Sequence, residues 1–295
     1  MKFSLRQLQI FQLIAEHQRV SDAAKELHMS QSAASMGLAQ LEASLGHPLF
    51  IRQGRRMDLT NYGLWLRPHV HEVLANCRTI EMGMSELDLV SGQIQLGVSQ
   101  TPAEHLVPAL FCQMDRSFPR LNLKLEVENT EHVIAGLLDY RYDLGIIEGR
   151  CDDERIAREV WCKDELVILA STQHPYSRQE STTLTQLELA QWILREPGAG
   201  TREIFDSSIH KYLKQLNVHR EYEQVGVILA LLVKGNYLGC LSRRSVEPWV
   251  ESGQLKILNV PELSITREFL FIWRKQESDN PSRNAILKTA KSIVE

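Results

Sequence analysis

The apolar positions change period twice along the chain, and the changes mark out its parts. From Leu5 to Gln18 the residues Leu5, Leu8, Ile10, Phe11, Leu13 and Ile14 fall three and four apart, as an amphipathic helix requires. Ser21 reads as the N-cap of a short helix through Ala23, Ala24 and Leu27, with a tight turn at His28 and Met29. Ser30 can cap a third helix running to about Leu45, where Gly46 supplies the left-handed residue that ends helices at little cost. Two helices across so short a turn predict a helix-turn-helix.

On the third helix Ala34, Leu38, Leu41 and Leu45 share one face, while Gln31, Ser32, Ser35 and Met36 occupy the other faces near its start. Such an arrangement suits a recognition helix, whose first residues meet base edges in the major groove. It also suits a plain solvated face. The next segment favours the first reading, because Leu49-Phe50-Ile51-Arg52 and Met57-Asp58-Leu59 can pair as short strands around Gln53-Gly54-Arg55-Arg56. A wing of this kind would set Arg52, Arg55 and Arg56 against phosphates or in the minor groove.

Thr60 can cap the following helix. There Leu66, Val70, Val73, Cys77, Ile80, Met84 and Leu87 repeat at alternating spacings of four and three, an a/d seam over about three heptads. Residues 61–90 are therefore expected to form a linker helix that pairs with a second copy, the other reading being a helix packed on its own domain. Pro68 removes one backbone hydrogen bond and can kink it.

Past Ser91-Gly92 the pattern alternates between strand and helix. The expected elements are strand Ile94–Val98, helix Ala103–Asp115, strand Leu121–Val127, helix Glu131–Leu138 and strand Leu144–Ile147. A second unit starts near Leu166 and includes Trp192-Ile193-Leu194, a helix from Arg202, an apolar helix at Val225–Lys234 and the strand Tyr237–Leu241. Phe269–Trp273 and the last helix, from about Arg283, return to the first unit. Alternation of this type predicts a doubly wound, mostly parallel α/β sheet. Its ligands sit beyond strand carboxyl ends, at helix starts. Two loops meet that description: Ser99-Gln100-Thr101-Pro102, in which Thr101 can cap, and Glu196 to Arg202, whose Gly198, Gly200, Thr201 and Arg202 offer free amides, a hydroxyl and a guanidinium. Ordinary capping explains each loop on its own; facing one cleft, they would make an anion site. Glu148 and Gly149 would face the same cleft. That carboxylate repels an anion unless Arg202 or a ligand amine neutralises it, which keeps a zwitterion such as an amino acid in view.

Charge sharpens the division of labour. Residues 1–60 hold seven cations against five acids, so within a net −4 the remainder carries −6. A polyanion would meet the amino-terminal part. No apolar run approaches the ~20 residues of a membrane span, and the first residues lack the apolar block of a signal peptide, so a cytoplasmic protein is expected. The five scattered cysteines form no Cys-x-x-Cys pair and the histidines no metal-ligand spacing, so neither metal nor cofactor is expected. Gly97-Val98-Ser99-Gln100-Thr101 lacks the last glycine of a nucleophile elbow, and no Walker loop or dinucleotide fingerprint occurs. No catalytic residue is assigned.

Taken in order, Leu5-Arg6-Gln7-Leu8 with Phe11, Ala23-Ala24 with Leu27, Ser30 to Ser35, Leu41-Glu42 with Leu45-Gly46, Leu49-Phe50 with Arg52, and Leu59-Thr60 with Gly63 resemble the amino-terminal signature of LysR-type transcriptional regulators. Gly37 departs from the bulkier residue common there. The resemblance implies a winged helix-turn-helix over 1–60, a dimerisation helix over 61–90, and an effector domain over 91–295 with the two-lobed fold of type-2 periplasmic binding proteins. One lobe would comprise about 91–163 and 268–295, the other about 164–267. It further implies that the two loops line an effector cleft, and that the partners are promoter DNA, a small anionic, carboxylate or amino-acid effector, RNA polymerase, and other copies of the chain in a dimer or tetramer. The competing reading is a solute-binding-like protein whose amino-terminal helices serve oligomerisation. A redox sensor on this scaffold would need paired cysteines, and 171–239 contains none.

Overall fold

The computed structural model describes residues 2–54, 56–83, 90–277 and 280–294, the side chains of 78, 79 and 81–83 excepted. The chain divides into two compact units, Met1–Gly92 and Gln93–Glu295. Among the described residues no helix is long and apolar enough to cross a membrane.

In the first unit α1 (Leu5–His17) opens on a capping box, the Ser4 hydroxyl accepting from the Gln7 amide while the Gln7 side chain accepts from the Ser4 amide. It buries Leu8, Ile10, Phe11 and Ile14. The second helix, α2 (Val20–Glu26), starts after Arg19, so Ser21 is not its cap; the Ser21 hydroxyl donates to Asp22 instead. The cause is tertiary. The chain leaves α1 through the left-handed Gln18, whose carbonyl accepts the Met57 amide at 3.0 Å, fixing where α2 begins. For α3 (Gln31–Leu45) the local signals hold: Ser30 accepts from the Ala33 amide, and Gly46 ends the helix at φ 78°. Gly37 faces α1, where a Cβ would meet Ile10 Cδ1 at 2.5 Å, so this glycine serves close packing rather than the exposed face.

The strands β1 (Phe50–Gln53) and β2 (Arg56–Leu59) pair antiparallel, Phe50 opposite Leu59. Arg55, at their tip, lies outside the described residues. Next comes α4 (Asn61–Gly83), capped by Thr60, whose hydroxyl accepts from the Gly63 amide and donates to the Pro48 carbonyl. Its expected seam divides between two faces. Val70, with Leu74, is buried in the core made by α1 and α3, and Leu66 packs beside them. Val73 and Ile80 are 41% and 65% exposed. At 3.6 residues per turn Val73 lies about 60° around the helix from Val70, on the side away from Leu74, so the core takes one flank of the seam and leaves the other exposed. Met84 and Leu87 lie outside the described residues.

The second unit is built on one nine-stranded sheet. Its first half runs β3 (Gly92–Ser99), α5 (Gln100–His105), α6 (Val107–Ser117), β4 (Leu121–Glu128), α7 (Thr130–Leu138) and β5 (Leu144–Glu148). The single helix expected over 103–115 is two, broken at Leu106, because Pro108 has no amide to carry the hydrogen-bond ladder through. Then β6 (Ile156–Ser171) crosses into the second half, made of α8 (Leu184–Leu189), β7 (Gln191–Arg195), α9 (Gly200–Ile209), β8 (Asn217–Tyr222), α10 (Val225–Lys234), β9 (Leu238–Ser242), α11 (Arg243–Glu251) and β10 (Leu255–Ile257). The long β11 (Ile265–Arg274) returns antiparallel to β6, and α12 (Pro281–Val294) closes the chain. Strand order is β4-β3-β5-β11-β6-β9-β7-β8, with β10 beside β6.

Two lobes follow from how β6 and β11 share their residues. Ile156, Leu270 and Ile272 pack with Val133, Leu137 and Tyr142 in the first lobe. Leu166, Ile168 and Ile265 pack with Trp192 and Phe205 on one face of the second, while Val167 and Leu169 pack with Ile228 and Leu232 on the other. Alternate residues of β6 thus serve opposite faces, as a strand buried on both sides must.

Candidate functional site

In the amino-terminal unit Gln31, Ser32, Ser35 and Met36 are all exposed on the first turns of α3, Met36 at 59%. The wing is fastened to the same helix. One oxygen of Glu42 accepts from both the Leu49 amide, at 2.7 Å, and the Phe50 amide, at 3.3 Å, and the Phe50 ring packs on Phe11. Arg52 and Arg56 stand exposed on the wing strands. Arg52 Nε donates to the Gly54 carbonyl, and Arg56 Nε pairs with Asp58 at 2.8 Å. An exposed pair of this kind is worth less than about 1 kcal/mol, so Arg56 stays available to a phosphate.

In the second unit the carboxyl ends of the strands converge on a buried polar cluster. Its centre is Arg267, on β11, with a fully buried side chain. Nε donates to Asp164 Oδ2 at 2.8 Å, Nη1 to the Thr201 hydroxyl at 2.7 Å and Nη2 to the Thr101 hydroxyl at 3.1 Å. Nη2 also lies 3.1 Å from Glu148 Oε2. The Thr201 hydroxyl in turn donates to Glu148 Oε1 at 3.0 Å, and the Ser242 hydroxyl donates to Asp164 at 2.8 Å. One guanidinium therefore ties the start of α5 to the start of α9. Burial pushes the Glu148 carboxyl up, but Arg267, with the Thr101 hydroxyl, Arg195 and the Thr201 hydroxyl, outweighs it and holds the carboxyl below its ordinary value. Glu148 is thus a charged group in the interior.

Gly149, at φ 99°, and Gly200 let β5 and α9 meet. A Cβ on Gly200 would lie 1.8 Å from the Glu148 carbonyl oxygen, which also accepts from the Thr130 hydroxyl at 3.0 Å. Backbone, not a flexible side chain, blocks that space. Gly200→Ala should therefore force β5 and α9 apart and lower the chain's stability by about 1–3 kcal/mol, read as a lower denaturation midpoint. A midpoint equal to wild type would show that the junction yields freely.

The structure brings Ser99, Thr101, Glu148, Gly149, Gly200 and Thr201 together, and changes the roles of three residues. Thr101 is not a cap: Ser99 precedes α5 without a side-chain cap bond, and the Thr101 hydroxyl is engaged by Arg267. Gln100 is half-buried and bonds Glu104. Arg202 does not clamp Glu148. It pairs with Asp206, one helical turn on, and with Glu221 of β8, and donates to the Arg195 carbonyl. Sequence reasoning passed over Arg267 and Asp164. Their signal was a charged residue at the inward position of an alternating strand: Ile265, Arg267 and Phe269 are buried between exposed Thr266 and Glu268, as Asp164 and Leu166 are around exposed Glu165. Among the cysteines, burial pushes the thiols of Cys151, Cys162 and Cys240 up, the direction opposite to that of a reactive thiolate.

Comparison with known proteins places these features in a family. A sequence profile for the LysR substrate binding domain matches residues 88–292, and one for the bacterial regulatory helix-turn-helix protein, lysR family, matches residues 5–64. The uncharacterized HTH-type transcriptional regulator YeiE of Escherichia coli (strain K12) is 34% identical over 97% of this chain and 95% of its own. Among solved structures, a full-length OxyR variant from Pseudomonas aeruginosa superposes with a TM-score of 0.78 at 21% identity, covering 99% of this chain and 95% of that one. Full-length CbnR complexed with its target DNA gives a TM-score of 0.63 at 18% identity, over 98% of this chain and 99% of that one. With a helix-turn-helix and a substrate-binding unit in this order, and a relative of this identity along almost its whole length, the chain belongs to the LysR family of DNA-binding transcriptional regulators.

Proposed function

We propose that this regulator reads an inverted repeat in promoter DNA as a homodimer or a pair of dimers, through Gln31, Ser32, Ser35 and Met36 on α3 and Arg52, Arg55 and Arg56 on the wing. The observation that carries the reading is the exposed polar start of α3 held to a basic wing by Glu42. Small polar side chains at a recognition helix start suit base edges, and wing arginines suit phosphates. The solved complex of CbnR with its target DNA supports it by analogy.

The effector is a small anion or carboxylate bound between the lobes, against Ser99, Gln100 and Thr101 on one side and Gly200 and Thr201 on the other, with Glu148 and Gly149 at the floor. Arg267, beneath both loops, supports this site. An effector with unequal affinity for the open and closed lobes shifts the equilibrium between them, and so alters how DNA-bound copies present themselves to RNA polymerase.

Mobility-shift titrations on the gene's own upstream DNA test the DNA side. Arg52→Ala, Arg55→Ala or Arg56→Ala should weaken binding to every sequence alike and reduce the salt slope by about 0.9 for each phosphate no longer neutralised. Ser32→Ala, Ser35→Ala and Met36→Ala should instead change which sequence is preferred. A full-length protein without any sequence-selective shift would overturn the assignment.

A further inference from the structure

Among the described residues of the second unit, Ser99 Oγ, Glu148 Oε2 and Arg195 Nη1 are side-chain polar atoms buried without a hydrogen-bond partner. Each belongs to the last residue of a strand, β3, β5 and β7 respectively. Their residues are 0%, 1% and 3% exposed. The other groups of Arg195 are spent on Glu196, its Nε and Nη2 donating to the two carboxylate oxygens at 2.8 and 3.0 Å. Glu148 Oε2 has Arg267 Nη2 at 3.1 Å, but out of line for a hydrogen bond. Buried polar groups are satisfied nearly everywhere in proteins, and each left over is destabilising. Ser99 and Glu148 end the adjacent strands β3 and β5, and Arg195, at the end of β7 in the second lobe, acts on the Glu148 carboxyl; such groups at strand ends, where α/β sheets take their ligands, describe the ligand that completes them.

The set has a definite polarity. Glu148 Oε2 can only accept, Arg195 Nη1 can only donate, and the Ser99 hydroxyl does either. Around Arg267 two carboxylates, Glu148 and Asp164, face one guanidinium. Arg195 is already neutralised by Glu196. An aprotic dianion would leave Glu148 unpaired and be repelled by it. We infer that the effector is a small molecule with one singly charged anionic group and its own hydrogen-bond donor, such as a 2-amino acid, a 2-hydroxy acid or a monoanionic oxyanion that still carries a proton, with the donor on Glu148 and the anionic end toward Arg195. The inference rests on the proposed interlobe site and names the class of molecule that fills it.

Calorimetry on the full-length chain tests it with matched pairs: 2-amino and 2-hydroxy acids of two to six carbons, each against its unsubstituted carboxylate, and phosphate, at a pH where it is the dihydrogen monoanion, against sulfate. Comparison among the pairs identifies which donor is used. The tightest binder should come from the donor-bearing half and exceed its mate by about tenfold or more. Glu148→Gln should bring that ratio near unity. Ser99→Ala, which removes an unpartnered hydroxyl without disturbing the Arg267 network, should weaken the same ligand several-fold and secures the test if Glu148→Gln folds poorly. A donor-free ligand binding as tightly as its mate, a preference that survives Glu148→Gln, or no donor-bearing binder at all would overturn the inference. Failure of the site itself looks different: a ligand would bind with unchanged affinity to both Thr101→Val and Thr201→Val.

Discussion

Arg267→Met should destabilise the carboxy-terminal unit by about 3–5 kcal/mol, the range for removing one partner from a buried ion pair. Methionine fills much of the space and keeps the stem's packing on Phe269, over whose ring the guanidinium sits at 5.3 Å. It leaves Glu148 and Asp164 in the interior without their shared cation, and it deprives the Thr101 and Thr201 hydroxyls of their donor. The pH dependence separates this cause from a packing defect. In the wild type the Glu148 carboxyl lies below its ordinary 4.5, so its contribution to stability is fully present above that value and is lost as the pH falls through the depressed one. In the variant the largest influence opposing burial is gone, only Arg195 and the two threonine hydroxyls remaining, and the Glu148 carboxyl rises relative to the wild type, so acidification discharges the orphaned carboxylate and restores part of the loss. Urea denaturation followed through the buried Trp161 and Trp192 should therefore show the variant gaining on the wild type between pH 8 and pH 5. Glu148→Gln in the same background should recover part of the loss at pH 8. A variant within about 1 kcal/mol of wild type, or one with an unchanged pH slope, would mean that the guanidinium is not what neutralises these acids.

What the sequence made legible was whatever is written locally. Ser30 and Gly46 bound α3 by their own chemistry, and the apolar face through Ala34, Leu38 and Leu41 follows from spacing alone. The start of α2 was not legible, because Met57, distant along the chain, fixes the Gln18 carbonyl that precedes it. Arg202 shows the same limit at the site. It is the nearest cation in sequence to the glycine loop, and its Asp206 partner was visible as a pair one helical turn apart, but Glu221 arrives from another strand. Glu148 is neutralised across more than a hundred residues by Arg267. A charged residue within a strand reads as solvent-facing by default, and only its place in the alternation marks it as inward. Gly37 was visible as a departure from the family signature, yet its reason, the side chain of Ile10 on a neighbouring helix, exists only once the helices pack.

The second large effect concerns assembly, and the division of α4 between two faces sharpens it. Val70 and Leu74, at 2% and 5% exposure, belong to the core beneath α1. Val73 and Ile80, one heptad apart, stand 41% and 65% exposed on another side of the helix. Members of this family form oligomers, and an exposed apolar pair at heptad spacing is what a partner helix would cover. Ile80→Asp leaves the single chain undisturbed, since this side chain makes little use of its own core, but in a dimer it buries a carboxylate without a partner at a cost of several kcal/mol. A penalty of about 4 kcal/mol raises the dimer dissociation constant about a thousandfold. Sedimentation at micromolar concentration should then show the smaller species, and affinity for an inverted repeat should fall with it, because two half-sites are no longer held by one particle. Val70→Asp provides the contrast: placed in the core, it should lower the unfolding midpoint of the amino-terminal unit whatever the state of assembly. If Ile80→Asp sediments and binds DNA as the wild type does, the copies meet through some other surface, and Val73 and Ile80 are ordinary exposed residues.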